Sequence, residues 1–516
     1  MNHPLLRRIA ALVCAALLLA ACGTKETPKR ISYDLSGKPE TIDPQFAVSQ
    51  SAATIITNTF EGLTRLDSSG QPQAACAERW EVSADGLTYT FLLRDGLTWA
   101  NGDPLTAHDF VFAIGRLFGE TPAPDAENFM MIENAAEVLD GSLPVSALGL
   151  QAPDDRTLII RLSTPNRSLP LLLASPAAMP CHERFFNEQK GRYGLSPEKT
   201  LGNGPFVVES WSEQSVVLTP NPAYRTPPAI ERVTLYLDRG DAIQLFLDGK
   251  SDGVLADFHR LSELTVATGE MNYNQTWVLL FNPGDGCCAD IEVRHALLSA
   301  LDIEAVTSLL PSSGIPAQGI IPPDSLLSGL PYREIAGSSP QPAPSAADPR
   351  ALLQQALARL GLADVGRLSL LVPDFGSGPA LGSQMQKCWQ ESLSSFINME
   401  QLPYEELLSR VQRGDYSLAI APLLSQGNST VDFLSRFAQP PFRTDAIAGL
   451  LESAQSRADP QESAADLLAA EQLLIDDFLV LPLFYAPTCF VLREGVEGVR
   501  YLTASRTVYF ADAVIR

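Results

Sequence analysis

From Ile31 to about Leu162 the chain runs in short stretches where hydrophobic and polar residues alternate, and each stretch ends at a turn. Trp80-Glu81-Val82, then Ala84-Asp85-Gly86, then Thr88-Tyr89-Thr90-Phe91-Leu92-Leu93 reads as a hairpin. Alternation turns one side of each strand inward, and the glycine supplies the turn. Leu97-Thr98-Trp99, after Asp95-Gly96, predicts a further strand, as do Leu158–Leu162, Ser215–Thr219 and Arg232–Leu237. Thr106 with Asp109 three residues later has the capping-box pattern and predicts a helix through Leu117.

Beyond about residue 290 the hydrophobic period lengthens to that of a helix. Glu292–Leu301 and Arg350–Leu360 are amphipathic; the second has Asp348 as cap, Pro349 in its first turn and Gly361 past its end. Gln384–Phe396, Tyr404–Arg413 and Ser463–Asp477 predict further helices. Leu368–Val372, Tyr416–Ala421 and Phe478–Phe484 predict strands between them, so this half reads as an α/β lobe. Ser338–Ala347 is of low complexity and reads as a long surface loop.

The N-terminus follows a different logic. Arg7 and Arg8 precede an unbroken apolar run, Ile9–Ala21, and then Cys22 and Gly23. A basic start, a short apolar core and small residues before the cut form a secretory signal. Leu19-Ala20-Ala21-Cys22 matches the bacterial lipobox, which makes residues 1–21 a lipoprotein signal peptide and Cys22 the lipidated residue. Residues 22–30, polar and basic after the cysteine, suit a tether. Phe478–Leu492 is the other apolar stretch, but Pro482, Pro487 and the preceding Asp476-Asp477 make it a buried strand, not a span. The expectation is a protein outside a bacterial membrane, at the cell surface or in the periplasm, held there by lipid.

Charge narrows the partners. The 516 residues carry 60 Asp and Glu against 37 Lys and Arg, a net charge of −23. A surface that acidic repels phosphate backbones, so no nucleic-acid partner is expected. Besides Cys14 in the leader and the lipidated Cys22, six cysteines remain: Cys76, Cys181, Cys287, Cys288, Cys388 and Cys489. Sequence leaves their pairing open; adjacent Cys287 and Cys288 should each pair elsewhere or stay buried and free. Cys287, Cys288, Asp290 and His295 lack metal-ligand spacing, so no metal site is expected. There is no GxSxG elbow, HExxH, Walker loop or dinucleotide fingerprint, and Asp374-Phe375-Gly376 stands without any other kinase element. The chain does not read as an enzyme, and no cofactor is expected.

Several ordered segments carry a resemblance. They include Ile42-Asp43-Pro44-Gln45, Phe60-Glu61-Gly62-Leu63-Thr64-Arg65-Leu66, and Ala77–Phe91 with Ala84-Asp85-Gly86-Leu87-Thr88-Tyr89 inside it. Leu93–Trp99, Gly102–Val111, Gly202-Asn203-Gly204-Pro205-Phe206 and Asn221-Pro222-Ala223-Tyr224 follow. Val293-Arg294-His295-Ala296-Leu297, Gly319–Pro323 and Leu481-Pro482-Leu483-Phe484-Tyr485 complete the set. Together they resemble the extracellular solute-binding proteins of family 5, which serve oligopeptide and dipeptide ABC transporters and include members for nickel and for cello-oligosaccharides.

The resemblance implies a two-lobed periplasmic-binding-protein (Venus flytrap) fold of α/β class with an extra subdomain in the first lobe. Domain I would span residues 31–270, with the subdomain at about 66–195, and domain II 271–486; residues 487–516 would return to domain I. A peptide or other small solute would sit between the lobes of a monomer that hands it to ABC permease and ATPase subunits. Val48, Ser49 and Gln50 fall where the first lobe meets peptide in this family, Trp277 at the lobe crossing, Tyr404 at a position often aromatic, and Phe129 nearby.

One part of the pattern is broken. Family members that bind peptides place an aspartate, within a Trp-x-x-Asp segment ahead of a Phe-Leu pair, against the peptide α-amine. Counting back from Phe433-Leu434 puts Gln426 at the aspartate position and Leu423 at the tryptophan position. A neutral amide gives up the charge-assisted part of that contact. Asp415 or Asp432 would have to substitute, or the solute is an oligosaccharide, a metal chelate or another non-peptide. A transport-orphaned interaction or signalling protein is the rival from another class.

Overall fold

The computed structural model describes residues 29–516 except 68–69, 265–268, 328–329, 343, 425–429, 443–444, 458 and 504. The leader, Cys22 and Gln426 therefore lie outside the described residues.

The first lobe is built from two four-stranded sheets. Strand β1 (Arg30–Leu35) runs parallel to Arg232–Leu237, with Ile31 opposite Val233, Tyr33 opposite Leu235 and Leu35 opposite Leu237. These six side chains are buried, as period-two alternation requires when one face of a sheet is covered. Ser215–Pro220 and Phe206–Trp211 extend the sheet in antiparallel fashion. The expected hairpin forms from Ala77–Val82 and Thr88–Leu93, and Thr157–Arg161 and Leu150–Gln151 complete the second sheet. The capping-box helix covers Ala107–Leu117, with the Thr106 amide donating to Asp109 Oδ2 at 2.8 Å. Leu97–Trp99 is not a strand: a single bridge, Thr98 to Pro104, spans it. Turns at Gly96 and Gly102, both at positive φ, leave too few residues between them for a ladder.

The second lobe surrounds a larger sheet. Its strands run in the order Gly253–Ala256, Val480–Leu492, Glu270–Phe281, Leu418–Leu424, Ser369–Pro373, Asn398–Leu402. Helix Pro349–Leu360 begins at Asp348, whose carboxylate accepts from the Ala351 amide at 2.9 Å, and ends at left-handed Gly361. Helix Tyr404–Arg413 has the predicted bounds. The helix predicted at 384–396 runs instead from Gly378 to Leu393: Pro379 sits in its first turn, and Ser394 at φ 54° ends it.

Buried side chains separate into two large clusters, one from Trp277 to Ala486 and one from Ile31 to Leu237 that also takes in Phe490 to Ala513. Two long strands, Glu270–Phe281 and Val480–Leu492, pass between these cores. Both prolines of the second strand sit at register shifts: Pro487 pairs with Tyr273 and Pro482 with Val278, where the ladder slips. Proline has no N–H for the ladder, and a bulge is where a central strand tolerates one. All six described cysteines are free and buried, which settles Cys287 and Cys288 as packed thiols. Among the described residues no helix is long and apolar enough to cross a membrane.

Candidate functional site

Between the two cores the chain passes through Asp257. Ala256 ends a strand packed in a small cluster with Cys489 and Val491, while Phe258 packs against the second lobe. A short turn of 3-10 helix, Phe258–Glu263, carries Phe258 and His259 into a group of rings. Trp277 and Phe484 face each other across the crossing strands and stack at 5.8 Å with an interplanar angle of 3°. Phe258 lies 5.8 Å from Trp277 and 5.5 Å from Phe484. His259 stacks on Tyr404 at 4.2 Å, and Phe375 meets Trp277 and Tyr404 edge-on at 6.0 Å.

Polar atoms in this seam lack partners. Among the described residues, Trp277 Nε1 and His259 Nδ1 are buried with no hydrogen bond, as are Asn272 Nδ2, Asn274 Oδ1 and Thr276 Oγ1 along the same crossing strand. Native proteins pair buried polar atoms in the great majority of cases, so each exception calls for an explanation. Burial pulls the His259 pKa down and pushes the Tyr404 hydroxyl up, the latter helped by the charges of Asp257 and Glu405. Both groups are therefore uncharged at neutral pH, and the Asp257 carboxylate stands beside them.

On the first-lobe side, Ser49 caps helix α1 (Gln50–Thr59), its Oγ accepting from the Ala52 amide at 3.2 Å. Gln50 Nε2 donates to the Arg506 carbonyl at 2.6 Å. Asn58, at the other end of α1, donates to the Val508 carbonyl and accepts from the Phe510 amide, so the returning tail is stapled to this helix. Val48, 74% exposed, projects just ahead of α1.

The expected residues thus divide. Trp277 and Tyr404 come together in one ring cluster, and Val48, Ser49 and Gln50 gather at the start of α1. Phe129 is 1% exposed and packs in the first lobe's core, outside this ring cluster. Leu423 is buried opposite Thr276, and Phe433-Leu434 are core residues. Asp415 pairs with Arg410 at 3.2 Å, ahead of strand Leu418–Leu424. The Asp432 side chain lies outside what the structure describes.

Sequence reading missed Asp257, Phe258, His259, Phe375 and Phe484 as neighbours. Phe375 belongs to the tripeptide set aside as a chance kinase match, and its ring gives that segment a packing role. No periodic signal could have joined these residues, because they come from three separate segments.

The family model of the bacterial extracellular solute-binding proteins, family 5 (middle region), matches residues 71–443. The chain is 23% identical to the oligopeptide-binding protein OppA of Bacillus subtilis, over 97% of each chain. It is 26% identical to the probable deoxycholate-binding periplasmic protein YgiS of Escherichia coli, over 98% of each. The substrate-binding domain of an oligopeptide ABC transporter from Bacillus anthracis superposes with a TM-score of 0.65 at 26% identity, covering 95% of this chain and 99% of that one.

Proposed function

Because this chain belongs to the bacterial extracellular solute-binding proteins of family 5, we propose that it captures peptides or peptide-like solutes between its lobes and presents them to an ABC permease and its ATPase. The observation that supports this reading is the seam itself. Two strands bridge separate cores, and along one of them, at the edge of the second lobe's core, several buried polar atoms have no partner among the described residues. A solute that touches both lobes only when they close favours the closed form by its differential affinity. Moving that equilibrium from 1:99 to 99:1 takes about 5.5 kcal/mol of preference. The protein performs no catalysis in this reading, acts as a monomer, and is tethered through a diacylglyceryl thioether at Cys22.

A second reading keeps the importer role and changes the solute. Leu423 buried where a tryptophan is expected, and a relative named for deoxycholate, favour a non-peptide ligand such as an amphipathic acid, an oligosaccharide or a chelate. A thermal-shift screen of the soluble form beginning after Cys22 separates the two. A true ligand at 100 times its dissociation constant stabilises by about 2.7 kcal/mol. Stabilisation by di- to octapeptides supports the first reading; stabilisation by deoxycholate, sugar or chelate alone replaces it with the second. Cys22→Ala should release the protein from the membrane fraction if the lipid tether is right.

A further inference from the structure

Asp257 is an exposed seam acid, as is Glu405 beside Tyr404, and among the described residues its carboxylate has no structural duty. It begins the turn Phe258–Glu263 in extended conformation, yet its side chain makes no capping hydrogen bond. Among the described residues it has no ion-pair partner, and it is exposed. The cations around it are committed. Arg260 is bound to Asp241 and Glu263, each at 2.6 Å, and Arg506 lies against the Tyr501 hydroxyl on the first-lobe side. The position spans the gap: Ala256 packs with the first lobe's tail, Phe258 with the second lobe's core. Its charge is felt on both sides, by Tyr404 of the second lobe and Tyr501 of the first. Two residues on, His259 Nδ1 is buried without a partner among the described residues, as is Nε1 of Trp277, whose ring lies 5.8 Å from that of Phe258 and is 1% exposed.

We propose that Asp257 sets the charge preference of this site by receiving a cationic group of the bound solute, an ammonium or guanidinium, at the seam between the lobes. The inference rests on the solute-binding reading above and makes it specific. Gln426 supplies no charge at the position where the family resemblance implies a carboxylate, and Asp415 is paired with Arg410. Asp257 supplies the missing charge from a different element. When the lobes close, the carboxylate loses water and its pairing with a ligand cation strengthens, while a neutral ligand there leaves a desolvated, unpaired charge. That second effect makes the residue a filter as well as an anchor.

The test is titration calorimetry on the full soluble chain and on Asp257→Asn, with Asp257→Glu as a charge-retaining control. The probes are trialanine, its N-acetylated form, N-acetylated Ala-Lys-Ala, and deoxycholate. Losing one charge-assisted contact is worth about 10- to 100-fold in affinity. The expected result is that the wild type prefers a cationic probe over acetylated trialanine by that factor. Asp257→Asn should erase the preference and Asp257→Glu keep most of it. Trialanine as the preferred probe assigns the α-amine to Asp257; acetylated Ala-Lys-Ala assigns a side-chain cation. Equal binding of charged and acetylated peptides by the wild type, or an unchanged preference in Asp257→Asn, overturns the proposal while leaving peptide capture standing. Binding of deoxycholate but of no peptide, equal in both proteins, overturns the proposal and the peptide reading together. Circular dichroism and a thermal midpoint within about 2 °C of wild type confirm that the exposed substitution leaves the fold intact.

Discussion

Each lobe buries a glutamate and surrounds it fully, whereas the seam between the lobes leaves its polar groups open. In the second lobe Glu471, completely buried, accepts from both nitrogens of the Arg333 fork, from the Tyr332 hydroxyl at 3.0 Å and from the amides of Ile320 and Ile321. In the first lobe Glu61 accepts from Arg225 and from the Tyr224 hydroxyl at 2.7 Å. The same Tyr-Arg pair of neighbours, Tyr224-Arg225 and Tyr332-Arg333, closes both networks. At the seam Asp257, Trp277 Nε1 and His259 Nδ1 have nothing comparable among the described residues. The lobes satisfy their buried glutamates fully, although single donors inside them, among them Arg333 Nε and Trp99 Nε1, lack partners among the described residues. In the solute-capture reading the seam groups await a ligand.

The largest effect should come from breaking a closed network. Glu471→Ala strands the Arg333 guanidinium, which is 18% exposed, and should cost about 3–5 kcal/mol of stability by urea denaturation. Binding per folded molecule should be unchanged. A loss of affinity without loss of stability would put Glu471 in the wrong category. A smaller effect is expected from Trp277→Phe, which keeps the ring stack but removes the unpartnered N–H. Stability should hold, while affinity falls by about 0.5–1.5 kcal/mol if the solute accepts that hydrogen bond. Calorimetry reads the affinity, and no change would make Trp277 a packing residue alone.

The smallest effect concerns pH. Burial lowers the His259 pKa, so the folded protein holds this proton less tightly than the unfolded chain. Stability from the neutral ring is then complete above the unfolded histidine value of about 6.5 and is lost as pH falls toward the lower folded value. Melting curves from pH 7.5 to 5 should show a decline that His259→Phe flattens. A variant with the same slope as wild type would place the titrating group elsewhere.

How much of this was legible in sequence depends on what each residue answers to. Helices Pro349–Leu360 and Tyr404–Arg413 and the hairpin at Ala77–Leu93 were readable because caps, glycine and period all agree locally. Leu97–Trp99 was misread because β propensity over three residues says nothing of whether a partner strand lies alongside. Trp277 and Tyr404 could be named through resemblance, but their contact could not, since 127 positions separate them and only the sheet brings them together. The burial of Phe129 was hidden for the opposite reason: an aromatic in a turn-rich stretch carries no period to show which way it faces. Asp257 looked like one acid among 60, and only its place between two cores distinguishes it.

Amide hydrogen exchange with and without the best-stabilising solute tests the contrast between seam and interior most directly. The account predicts new protection at residues 256–264, 274–278 and 404–407 and around the start of α1, with none at 319–333 or 467–474, where the Glu471 network is already closed. Protection confined to one lobe's interior, with the seam exchanging as before, would contradict it.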